Sequence, residues 1–227
     1  MGSIRKPDSL TSSTAWPRVP SDQPAGRSST LELESGACQN GRLTAAGYVK
    51  VDELNRPGEA MFRFKCATCN EWHEGMPTFG ANAPLYFYSI PTEERGSRCI
   101  LESDTCVVDQ EYFFVRGCLE IPVDGEGEPF AWGVWVSLSK DRFDDFTACF
   151  DAPKRSHIGP FFGWLSAELP LYPSTENLKT RVHLRDNGVR PYIELEPTNH
   201  PLAIEQRDGI SADRVAEIYA YFERRQA

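Results

Sequence analysis

No stretch of this 227-residue chain approaches the ~18 consecutive apolar residues that a helix needs to cross a bilayer. The opening MGSIRKPDSL carries no apolar core of the kind found in secretory signals. It also lacks the Ser or Thr that a myristoylation signal requires. Basic charge is in short supply: 24 Lys and Arg stand against 33 Asp and Glu, a net charge of −9. Phosphate backbones select basic faces, so nucleic acid is not an expected partner. Glycine-rich phosphate loops are missing too, and Gly125 and Gly127 lie among acids that repel phosphate. No Ser occupies a G-x-S-x-G elbow and no Cys sits in a known nucleophile signature. A second C-x-x-C or an H-x-x-x-H pair is likewise absent, which excludes a two-knuckle zinc motif.

What is present reads as a globular protein. Hydrophobic residues make up 40% and aromatic residues 11%, with a mean hydropathy of −0.45. The 7 cysteines are odd in number and scattered, in a chain large enough to fold without staples, which predicts reduced thiols and a cytoplasmic location. Residues 1–55 are rich in Ser, Pro, Thr and charge. Such a composition cannot offset the entropy of ordering, so most of it is expected to be disordered, with Trp16 as the centre of an alternative partner-binding tail. A short helix or strand is expected over 43–51. Residues 56–227 are expected to form one domain.

Within that domain, 75–91 is punctuated by Pro77, Gly80, Pro84 and Pro91 and reads as irregular packed chain, followed by one helical turn at 91–95. Tyr112 to Val123 and Phe130 to Leu138 are β-branched and aromatic, flank the turn residues 124–129, and predict an antiparallel hairpin. In the second of these strands Trp132, Val134, Val136 and Leu138 share one face. The other face is small or aromatic, so both are expected to be covered. Ser139 caps a predicted helix from Lys140 to about Phe150, and 159–171 reads as another strand. Residues 178–184 and 190–195 flank Asn187-Gly188 and predict a second hairpin. Ser211 then caps a helix over 212–225 with Val215, Ile218, Tyr219 and Phe222 as its apolar stripe. Central strands with separate helices predict an α+β fold: mainly an antiparallel sheet of hairpins, a C-terminal helix and an N-terminal zinc-knuckle-like turn.

That turn is FRFKCATCNEWH, from Phe62 to His73. Cys66 and Cys69 form a C-x-x-C turn on which two thiolates converge, Asn70 tolerates the left-handed conformation such knuckles adopt, and His73 is within reach of the same ion. Zinc takes four ligands in a structural site. Cys106 is the favoured fourth, on the expectation that its strand returns beside Phe62 to Lys65; Cys99, His183 and water are the alternatives. A reduced thiol pair without metal, or a thiol–disulfide pair, is the competing reading of the cysteines, although the βαβ setting of the latter is lacking.

Glu120 and Glu168 are carboxylates amid apolar sequence. With Glu194 and Glu196 they could converge as acid and base, or pair with nearby arginines on a solvated face. His183 alternates with Val182 and Leu184 and falls on the polar side; His200 precedes Pro201; either is a candidate base.

Taken together, CATCNEWHEG, APLYFYSIPTEER, DTCVVDQEYFFVRGCLEIPV, FAWGVWVSLS, FFGWLSAELPLYP, LKTRVH and IELEPTNHPLAIEQRDGI resemble the bacterial family of unknown function DUF2199. The resemblance spans Phe62 to Phe222. It implies one domain in a bacterial protein, a variable extension over 1–55, and Cys66, Cys69, His73 and Cys106 at family-like positions. It brings no established activity. The expectation is therefore a zinc-stabilised, acidic, non-enzymatic domain that binds or regulates a protein. The alternative is a zinc-dependent hydrolase whose zinc keeps a water, with Glu120 or Glu168 as base and His183 in the site.

Overall fold

The computed structural model describes residues 31–34, 62–66 and 70–226. Its centre is the predicted hairpin. Strand β7 (Tyr112–Ile121) and strand β8 (Phe130–Leu138) pair antiparallel along their length, from Phe113 opposite Leu138 to Ile121 opposite Phe130. All nine residues of β8 are buried, so both of its faces are covered.

Both strands are too long for one neighbour. The outer edge of β7 pairs at its start with β6 (Thr105–Val108), and then meets β11 (Tyr192–Leu195) in parallel, Tyr192 opposite Cys118. The outer edge of β8 pairs in parallel with β4 (Thr78–Ala81) and then, antiparallel, with β9 (Phe161–Leu165). Strand β10 (Lys179–His183) joins β9 to β11. The circuit β7–β8–β9–β10–β11–β7 closes into a five-stranded barrel, where the sequence predicted a mainly antiparallel sheet of hairpins. Two wings extend from it: β4 carries β1 (Leu31–Glu34), and β6 carries β5 (Cys99–Leu101). The sequence lacked any signal for the closure, because a single parallel contact between distant segments leaves no local pattern.

Glycine permits the tight joints. A Cβ at Gly117 would meet Ile193 Cδ1 at 2.5 Å and the Pro191 carbonyl oxygen at 2.9 Å, and one at Gly163 would meet the Ser137 oxygen at 2.4 Å. Leu119, Trp132, Val136, Leu165, Val182 and Ile193 fill the main core.

Helix α3 (Lys140–Ala148) buries Phe143 and Phe146. Helix α5 (Ala212–Gln226) presents its expected stripe to the same core, and Phe222 stacks on Phe79 with ring centroids 4.0 Å apart. The Ser211 hydroxyl accepts from the Arg214 N–H at 3.2 Å, a cap on its first turn. Two expectations are corrected. The segment expected to be irregular holds β4 and helix α1 (Leu85–Ser89), and the turn expected at 91–95 becomes helix α2 (Arg95–Arg98); helix α4 (Pro201–Asp208) has no counterpart in the sequence expectations. Of residues 1–55 only β1 is described. The rest, including Trp16 and the element expected over 43–51, lies outside the described residues. No helix among the described residues is long and apolar enough to cross a membrane.

Candidate functional site

Strands β2 (Arg63–Lys65) and β3 (Trp72–Glu74) form a separate antiparallel hairpin, with Phe64 opposite His73. At its tip the Cys66 N–H donates to the Glu71 carbonyl at 2.9 Å and the Cys66 carbonyl accepts from the Asn70 N–H at 3.0 Å. Asn70 has φ +62°, the left-handed conformation expected of it. Cys66 is buried at 1% exposure. Cys69 lies outside the described residues. The hairpin docks on α5: the Tyr219 ring lies 4.9 Å from Phe64 and 4.7 Å from His73, and its hydroxyl meets His73 Nδ1 at 3.3 Å. That contact sets the tilt of the imidazole.

Cys106 lies elsewhere. Its strand pairs with β5 and β7, so the expected return beside Phe62 to Lys65 does not occur. It is fully buried in a second core cluster with Ala81, Ile90, Val108, Phe114 and Trp135, where burial and then the nearby Cys99 push its thiol up to about 12. The structure thus gathers Cys66 and His73 on one hairpin and Cys99 and Cys106 on another. Among the described residues no group of three or more His, Cys, Asp and Glu side chains is placed to hold a metal ion. Cys118 is disulfide-bonded whereas Cys66, Cys99, Cys106 and Cys149 are not, so the thiols are not uniformly reduced as their scatter predicted.

The four carboxylates do not share a cleft. Glu120 takes Arg185 Nη2 at 2.6 Å. Glu168 accepts from the Ser174 hydroxyl and from the Thr175 N–H, which ties down its own loop. Glu194 meets His183 Nε2 at 2.7 Å, and Glu196 lies 4.0 Å from Lys179. Glu120 and Glu194 do approach one group in common: both raise the phenol of Tyr192, whose burial is the larger cause. The Arg185 guanidinium sits 5.8 Å from that ring. This row of partnered charges lies on the outside of the barrel. A groove of about 540 Å³ opens elsewhere, between β2 and α5, past Lys65, Leu171, Glu217 and Tyr221.

Two buried polar side chains escaped the sequence reading. Arg155 is 1% exposed, and its guanidinium donates to the carbonyls of Phe150, Arg185 and Val189 at 2.8–2.9 Å. Gln206 accepts from the Leu195 N–H at 2.8 Å and donates to the Ile193 carbonyl at 2.7 Å. Neither sits in a motif, and in both cases the partners are backbone groups that sequence does not reveal.

The fold defines a small α+β barrel protein, with Cys66 and His73 carried on a separate two-stranded hairpin. A match to the bacterial family described as "Uncharacterized protein conserved in bacteria (DUF2199)" covers residues 65–210. The chain belongs to that family. The match takes in Cys66, Cys69, His73 and the whole barrel and stops at Ile210, before α5. No curated protein and no solved structure gives a significant match.

Proposed function

We propose that this is a non-enzymatic binding domain in which the Cys66–His73 hairpin holds a structural zinc ion that clamps the C-terminal helix to the barrel. The observation that carries the reading is the tip of the β2–β3 hairpin. A buried Cys66, a left-handed Asn70 four residues on, and a half-buried His73 held against Tyr219 together fit a metal knuckle better than an exposed hairpin. Cys66, Cys69 and His73 supply three ligands of the soft and borderline kind zinc selects. Phe62 and Phe64 already anchor the hairpin in the main core, and an ion at its tip would add to that anchorage. The absence of catalysis in the proposal rests on the carboxylates, each engaged by a different partner and none facing a common cleft. The net charge of −9 over the whole chain favours a partner with a basic surface.

The test is substitution at the ligands. Cys66→Ser and His73→Asn should each lower the melting temperature of the zinc-loaded protein and abolish its further fall on chelation. Equal melting of wild type and both variants in zinc and in chelator would contradict the proposal.

A further inference from the structure

The outward side of β9–β10–β11 is an exposed to half-exposed sheet face, among the described residues, with an ordered charge pattern. Val182, Ile193 and Leu195 point inward to the core, which turns the alternate residues outward. On β10 these are Lys179, Arg181 and His183; on β11 they are Tyr192, Glu194 and, just past the strand, Glu196. The register sets Arg181 beside Glu194 and His183 beside Tyr192, and the Glu196 N–H donates to the Lys179 carbonyl at 2.9 Å. A cationic stripe therefore runs next to an anionic one. Exposure rises toward β9, where Phe162, opposite Arg181, is 47% exposed. Within the chain Glu194 turns to His183, and among the described residues no carboxylate pairs with Arg181. An unpaired guanidinium beside an exposed aromatic ring has the composition of a binding hot spot.

We propose that this face binds a second copy of the chain, through a two-fold axis that runs along the strands midway between β10 and β11. Such an axis exchanges the stripes. It lays Arg181 over Glu194 of the partner subunit and, by symmetry, Glu194 over the partner subunit's Arg181; Lys179 and Glu196 are brought together in the same way. Isologous interfaces require self-complementarity of this kind, in which i meets j and j meets i. A heterologous acidic partner would satisfy Arg181 but would set its own charge against Glu194 and Glu196. A second copy satisfies both stripes at once, and this complementarity selects it as the occupant. The proposal is independent of the metal hairpin, which lies on α5.

Sedimentation equilibrium of the full chain tests it. Wild type should be a dimer at about 50 μM, and Arg181→Glu and Glu194→Arg should each be monomeric because like charges then face each other. Glu194→Arg also ends the exposed pairing with His183, which contributes little to stability. An equimolar mixture of the two variants should regain the dimer, since Glu at 181 of one subunit then meets Arg at 194 of the other in one half of the interface, and the native Glu194 and Arg181 meet in the other half. A monomeric wild type, a dimer indifferent to both changes, or two variants that fail to associate when mixed would overturn the proposal. A monomeric wild type that binds a polyglutamate peptide through Arg181 would overturn it as well, by assigning the face to an acidic partner.

Discussion

Gln206 and Ile193 are joined across the seam of the barrel, where the Gln206 carboxamide donates to the Ile193 carbonyl at 2.7 Å. The same side chain accepts from the Leu195 N–H at 2.8 Å and so replaces the ladder where β11 and β7, paired only around Tyr192 and Cys118, part company. Gln206→Leu leaves a buried N–H and a buried C=O without partners, each of which costs about 1–3 kcal/mol. The expected loss is about 2–4 kcal/mol, read as a fall in melting temperature of roughly 5–15 °C. Gln206→Glu keeps the acceptor but sets a buried carboxylate oxygen against the Ile193 carbonyl, and should lose at least as much as Gln206→Leu.

Arg155 is the other interior tie. It holds 150–158 to the 185–189 turn through three carbonyls, and its guanidinium lies 5.9 Å from the Phe146 ring and 5.6 Å from the Phe150 ring. Arg155→Met preserves bulk but orphans the carbonyls, and denaturant unfolding should show a loss of about 3 kcal/mol or more. Arg155→Lys cannot reach three acceptors in a plane and should recover only part of that loss.

Two half-buried phenols contribute to the alkaline limit. Burial, then hydrogen bonding to Tyr112, pushes Tyr86 up to about 12; burial, then the bond to Glu205, raises Tyr172 further. A phenol whose folded value lies above its unfolded value of about 10 contributes stability that is whole below pH ~10 and is lost as pH rises toward the folded value. With the raised Cys106 thiol adding its loss above about pH 9, melting temperature should decline from about pH 9 upward and more steeply above pH ~10, less so in Tyr172→Phe. On the acid side the sign reverses. Asp186 is lowered by the N–H groups of Ser156 and Arg155, and Asp109 by Arg98, so their contribution is present above the ordinary carboxylate range and vanishes as pH falls through their depressed values.

His200 caps α4 with its ring: Nδ1 accepts from the Leu202 N–H at 3.2 Å, with Pro201 in the first helical position. His200→Ala should destabilise by about 1 kcal/mol and His200→Asn by much less, because Asn supplies a side-chain acceptor at the same place. Thermal unfolding of the two variants separates a cap from a base.

The hairpins were legible because period-two alternation and left-handed turn residues are local signals. Asn187 and Gly188 adopt φ +58° and +71°, and β7, β8 and α5 stand within a few residues of where the sequence put them. Strand β4 was hidden by the prolines on either side of it, and α4 by its weak amphipathicity, since its buried face includes Gln206. The barrel and the placement of Cys106 depend on which distant strands meet, and there local pattern is silent. Of the candidate site, Asn70 and the outward face of His183 could be read in advance. The engagement of Glu120 by Arg185, rather than by another arginine, could not.

Whether the hairpin grips an ion is decided by metal analysis of the purified chain. About one zinc per chain is expected, retained through gel filtration, with a lower melting temperature once a chelator has removed it. Less than about half an equivalent of zinc, together with melting unchanged by chelation, would contradict it.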